Sequence, residues 1–145
     1  MLRRAELEAT LRPFAEARPL AGPPFRDPRI FAAEVETLFL KMWVCVGHQS
    51  HLGSSGDYLM RELGDESVIV TRGADGSIRA FYNVCRHRGT RLLDDGAGTG
   101  LDCIRCPYHS WAYGLDGSLI AAPLMDEVEG FDKADYGLTP VRCET

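Results

Sequence analysis

Two cysteines and two histidines carry the chemistry that can be read first. Cys85 and His87 flank one residue, Cys106 and His109 flank two, and eighteen residues separate His87 from Cys106. Each cysteine is therefore partnered by a histidine on its own short segment, so that two loops would each deliver one thiolate and one imidazole. An iron–sulfur cluster whose two irons differ, one bound by two sulfurs and the other by two neutral imidazoles, needs this interleaving. A set of two cysteines and two histidines also suits zinc, although zinc modules usually group the two cysteines and then the two histidines. Gly89 and Pro107 stand beside these residues, where tight ligand loops would need them.

The rest of the chain must position those two segments. A short amphipathic helix is expected within residues 2–14, ending before Pro13, followed by a Pro/Gly-rich arm through Pro24. Asp27-Pro28 marks a helix start, with Asp as N-cap and Pro at the first helical position. Ile30, Phe31, Val35, Leu38 and Phe39 then place an apolar stripe on one face to about Leu40. From Trp43 the pattern changes to short strands, expected at Trp43–Gly47, Tyr58–Leu63, Ser67–Arg72, Ile78–Asn83 and near 101–105. Asp75-Gly76 and Asp116-Gly117 mark tight hairpins. Strand spacing of this kind predicts an all-β sandwich or small barrel. The two ligand loops follow the strands at 78–84 and 101–105, so they would project from one end as paired turns. Gly96-Ala97-Gly98-Thr99-Gly100 reads as the turn between them, and Cys103 as a buried strand residue rather than half of a separate Cys-x-x-Cys site.

At 145 residues the chain suits one domain, and 45% hydrophobic with 26% charged residues is ordinary for a globular protein. A net charge of −5 argues against a nucleic-acid partner. Arg86, Arg88 and Arg91 cluster beside the ligands, where they would orient the loop or meet an acidic electron donor. No apolar stretch follows Arg3 and Arg4, so no signal peptide is expected, and no run approaches the roughly 20 apolar residues of a membrane span. Cys45, Cys103 and Cys143 remain unassigned, and a reducing cytoplasm is the simplest compartment for them.

The strings Cys85-Arg-His-Arg-Gly89 and Cys106-Pro-Tyr-His-Ser-Trp111 resemble the Rieske [2Fe–2S] domain, specifically the one that opens the α subunits of Rieske non-haem iron oxygenases of the ring-hydroxylating type. The likeness runs from about Leu20 to the end and includes Trp43-x-x-Val46-Gly47-His48, Gly56-Asp57-Tyr58, Ala80-Phe81-x-Asn83-Val84-Cys85 and Asp116-Gly117-x-Leu119. It implies a mainly β fold, a small β-sandwich or barrel over residues 41–145 with a cluster-binding subdomain of two loops, preceded by an N-terminal arm and helix over 1–40. It also implies a [2Fe–2S] cluster on Cys85, His87, Cys106 and His109 rather than zinc, with Arg88, Gly89, Tyr108, Trp111 and Tyr113 around it.

The function implied is electron transfer in an oxidoreductase. The domain would take electrons from an NAD(P)H-dependent reductase or a ferredoxin and pass them to a mononuclear iron that activates dioxygen for hydroxylation or demethylation. The alternative is a standalone Rieske-type ferredoxin; the N-terminal arm and helix favour the oxygenase. A mononuclear Fe(II) site needs two histidines and a carboxylate. The chain has four histidines, two are assigned to the cluster, and His48 and His51 read as surface-loop residues. That iron is thus expected only in a downstream catalytic domain, absent here together with most of the strand beginning at Gly137-Leu138-x-Pro140-Val141. Alone, the chain would transfer electrons without activating dioxygen. The resemblance also implies a homotrimer in the full-length form.

Four positions depart from relatives. Ser110 stands where the family usually has Gly. Thr90 and Tyr108 occupy the places of the bridging cysteines of respiratory Rieske proteins, and Trp111 that of their cluster-facing serine, while Tyr113 is kept. With that disulfide and serine absent, the potential is expected in the lower half of the range of about −150 to +300 mV.

Overall fold

The computed structural model describes residues 4–94 and 96–145, so the expectations that fall on residues 1–3 lie outside the described residues. The chain divides into two compact units, with the boundary between Val44 and Cys45.

Of the helix expected over 2–14, the described residues of the first unit form α1, Arg4–Leu7, followed by turns. The Asp27-Pro28 start forms as read. Asp27 accepts from the Arg29 backbone N–H at 2.9 Å and from the Arg29 guanidinium at 2.7 Å, which holds its carboxyl down to about 2. Helix α2 spans Pro28–Glu34 and passes into a π turn over Val35–Phe39, closed by Leu40 N–H donating to Val35 C=O at 3.0 Å. No residue of α2 or the π turn is buried, and Phe31, Leu38 and Phe39 remain exposed.

The second unit is built from two antiparallel sheets. Strands β1 (Tyr58–Leu63), β2 (Glu66–Arg72), β3 (Ile78–Tyr82), β4 (Gly96–Gly98) and β8 (Pro140–Val141) form a five-stranded sheet in the order β4-β1-β2-β3-β8. Strands β5 (Ile104–Arg105), β6 (Ala112–Tyr113) and β7 (Leu119–Ala121) form a three-stranded sheet in chain order. The larger sheet is apolar on both faces, because adjacent residues on one strand serve different cores. Met60, Ile69 and Phe81 join the core with Ile104, Trp111, Tyr113 and Leu119, while Leu59, Val70 and Ala80 pack with Leu52 on the opposite face. Thr71, fully buried, ties the sheets together by donating its hydroxyl to Leu115 C=O at 2.9 Å. Among the described residues no buried side-chain nitrogen or oxygen lacks a partner, and no helix is long and apolar enough to cross a membrane.

Two expectations are corrected. Trp43–Gly47 makes no ladder; instead Val46 C=O accepts from the Arg61 side chain at 3.0 Å. The glycines at 96–98 form edge strand β4 on β1 rather than a turn. Glycine is needed there because a Cβ at Gly98 would fall 2.4 Å from the Tyr58 ring. The two expected hairpins share one device, Gly-x-Asp-Gly-Ser at 73–77 and 114–118. In each the Asp carboxylate accepts the Ser backbone N–H at 3.0 Å, with Gly76 and Gly117 in the left-handed region. Gly117 also lets the Phe81 ring approach to where a Cβ would stand 2.3 Å away.

Candidate metal centre

Both ligand loops use one backbone frame. In the first, which follows β3, Cys85 C=O accepts from Gly89 N–H at 3.0 Å and Cys85 N–H donates to Thr90 C=O at 2.8 Å. In the second, between β5 and β6, Cys106 C=O accepts from Ser110 N–H at 3.1 Å and Cys106 N–H donates to Trp111 C=O at 2.7 Å. In both, the residue four past the cysteine is left-handed, Gly89 at φ +72° and Ser110 at φ +58°. Glycine is at ease in this region, and serine is not.

The frames sort the side chains by type. Cys85 and Cys106 are each 2% exposed and lie close enough for their thiols to interact. His87 is exposed and His109 half-buried, with ring centroids 4.7 Å apart. Among the described residues, no three His, Cys, Asp or Glu side chains converge on a single ion. The four side chains form two pairs, the thiols buried and the imidazoles less buried. That donor set fits a two-iron cluster with a sulfur-bound and a nitrogen-bound iron.

Neighbours tune each member. Arg86 backbone N–H donates to the Tyr113 hydroxyl oxygen at 3.0 Å, which leaves the Tyr113 O–H to donate to Cys85 Sγ at 3.2 Å. Burial pushes the Cys85 thiol up, against the pull of Tyr113 and of the His87 backbone N–H, so metal binding must expel its proton. Burial, then donation to Cys85, likewise raises the Tyr113 phenol. Desolvation, followed by His109 and Arg88, lowers His87 and favours the neutral imidazole that a metal requires.

Trp111 is 2% exposed and lies parallel to His87, centroids 4.8 Å apart and planes at 10°. Tyr108, 61% exposed, tilts against His109 at 3.7 Å. Arg88 is exposed at the rim. His48 caps the turn Gln49–Leu52 and His51 lies within it, both side chains exposed, with His48 Nδ1 2.8 Å from Ser50 Oγ. Cys103 is half-buried in the bend before β5 rather than a buried strand residue.

Asn83 was not singled out as a site residue by sequence. It is 1% exposed, and its side chain accepts from Leu92 and Leu93 N–H at 3.0 and 2.9 Å and donates to Leu93 C=O at 2.7 Å. It thereby pins the chain leaving the first loop. An amide two residues before a candidate ligand, at the end of an apolar strand, was the signal available.

Residues 42–132 match the family model described as the Rieske [2Fe-2S] domain. The chain is 43% identical over 120 residues to the carnitine monooxygenase oxygenase subunit of Acinetobacter baumannii, covering 83% of this chain and 32% of that protein. It is 44% identical over 122 residues to the glycine betaine monooxygenase oxygenase subunit of Chromohalobacter salexigens, covering 84% and 27%. A crystal structure of a quaternary ammonium Rieske monooxygenase matches with a TM-score of 0.75 at 43% identity, covering 83% of this chain and 35% of that one. The chain thus spans about a third of the length of the curated relatives it matches.

Proposed function

The chain belongs to the Rieske [2Fe–2S] domain family, and from that premise we propose that Cys85 and Cys106 hold one iron and His87 and His109 the other, in the electron-entry domain of an oxygenase α subunit. The observation that carries this reading is the sorting of the four residues into a buried thiol pair and an outward imidazole pair. When bound, the cluster supplies reversible one-electron storage at a potential above that of all-cysteine ferredoxins. The residues around it do the rest. Tyr113 donates to the Cys85 sulfur, Gly89 and Ser110 let each loop fold back on its cysteine, and the two imidazoles form the face through which electrons enter and leave.

The full oxygenase would receive electrons from an NAD(P)H-dependent reductase or a ferredoxin. They would pass to a mononuclear iron, held by two histidines and a carboxylate in a further domain, where dioxygen is activated. A homotrimer in the cytoplasm, with electrons crossing between subunits, is the assembly we infer. It is supported by the inter-subunit electron transfer described for a related quaternary ammonium monooxygenase. That relative and the carnitine and glycine betaine enzymes favour a quaternary ammonium or N-methylated substrate.

Iron, sulfide and zinc analysis of anaerobically purified protein, with an EPR spectrum after dithionite reduction, tests the centre. Two irons and two sulfides per chain, with the low average g value of a histidine-ligated cluster, are expected. Stoichiometric zinc, with no iron or sulfide uptake on reconstitution, would refute it. For the oxygenase role, coding sequence after Thr145 should specify a domain bearing two histidines and a carboxylate; a stop codon there would leave only an electron carrier.

A further inference from the structure

The two histidines are held differently. Behind His87 lies a continuous packing of rings. Trp111 stacks on His87, and Phe131 and Tyr136 meet Trp111 edge-on, each with centroids 5.7 Å from it and planes at 66° and 85°. Phe131 and Tyr136 also contact each other at 4.7 Å. Trp111 is buried and the other two are partly buried against the same core. The segment that brings them is itself fixed. Asp132 caps the 3-10 turn Lys133–Tyr136 by accepting Ala134 N–H at 2.9 Å, and Leu138 N–H donates to Gly117 C=O at 2.8 Å. Among the described residues, the ring contacts of His109 are the exposed Tyr108 and His87 itself.

An exposed imidazole on a loop turns about two torsions, and the plane it adopts decides which nitrogen faces inward and where the other N–H points. A flat indole against one face restricts that choice. Two rings wedged edge-on against the indole restrict the indole in turn, because edge-to-face contact has a preferred geometry. We propose that Trp111 is a positioning residue that sets the ring plane of His87, and that Phe131 and Tyr136 act through Trp111 to do so, with His109 reached only through its edge contact with His87. Tyr136 lies beyond the span 42–132 that matches the family model, so part of this support comes from outside the matched frame. The inference rests on His87 being a cluster ligand, but the ring contacts do not.

The test uses the whole chain in two states. In metal-free protein, the ring protons of His87 should show an upfield ring-current shift by NMR, retained in Trp111→Phe, lost in Trp111→Leu and reduced in the Phe131→Leu/Tyr136→Leu double variant, with smaller changes at His109, which meets only the His87 edge. In cluster-loaded protein, Trp111→Phe should keep the wild-type EPR g values. The other two variants should change g anisotropy and release iron to a chelator roughly tenfold faster. If iron loads but the ring-current shift is absent in wild type or survives in Trp111→Leu, the positioning role is overturned. A double variant that lowers Tm while leaving NMR and EPR unchanged overturns the part given to Phe131 and Tyr136. If wild type takes up no iron although the ring-current pattern holds, the ligand reading fails and takes the proposal with it.

Discussion

The two ligand loops share a backbone frame and differ in what holds them. The first is held from outside. Asn83 pins its exit, Tyr113 anchors Cys85 and the Arg86 N–H, and Trp111 backs His87. The second is short, closes between paired strands β5 and β6, and carries its own rigidity in Pro107 and the ladder that flanks it. Trp111 and Tyr113 both stand just after the second loop, yet both act on the first. Support is thus donated by one loop's tail to its counterpart, which makes the pair asymmetric in energy although alike in hydrogen bonding.

The largest effect should erase the comparison. Cys85→Ala or Cys106→Ala removes one of the proposed ligands, and iron content should fall below roughly a tenth of wild type in metal analysis. Next, Asn83→Ala should damage the first loop alone. It removes three hydrogen bonds, one buried and two partly buried, at about 1 kcal/mol each, so Tm should drop by roughly 10–15 °C. Calorimetry showing a drop under a few degrees would contradict this.

Tyr113→Phe sharpens the asymmetry further. Reduction adds negative charge, which the O–H donated to Cys85 Sγ favours. Losing about 1 kcal/mol of that preference should lower the midpoint potential by roughly 45 mV in protein-film voltammetry. The wild-type value is expected in the lower half of about −150 to +300 mV, and a wave centred well above zero would refute that expectation. The smallest effect exchanges the left-handed residues. A Cβ at Gly89 meets nothing within 4 Å, so Gly89→Ser should cost only backbone strain, roughly 1 kcal/mol, while Ser110→Gly should gain roughly 0.5–1 kcal/mol. Urea midpoints moving in opposite directions at constant m would bear this out.

The parts of this molecule that sequence made legible are those whose cause is local. The Cys-x-His and Cys-x-x-His spacings, the Asp27-Pro28 cap and both Gly-x-Asp-Gly-Ser hairpins depend on residues within a few positions of one another. Phe131 and Tyr136 were not legible, because their partner Trp111 is twenty or more residues away and nothing between them is periodic. Gly96–Gly98 misled for a similar reason: glycines signal a turn locally, but here they make room for Tyr58 on a neighbouring strand. Trp43–Gly47 is apolar enough for a strand, yet a ladder needs a free edge at the right register; β4 occupies the outer edge of β1 at Tyr58–Met60, and beside it the Arg61 side chain takes the Val46 carbonyl.

The shared loop frame also bears on the order of events as the chain folds. Its bonds span four or five residues, so both cysteine turns can close on the tens-of-nanoseconds scale of short loops. The ladder between Ala80 and Val141 must await a distant encounter. Both thiols would then be shaped for metal while still open to solvent and oxidant, before they join the core they share with Ile69, Phe81 and Leu119. Pulsed alkylation during refolding should label Cys85 and Cys106 in the first interval and lose them as the sheets join.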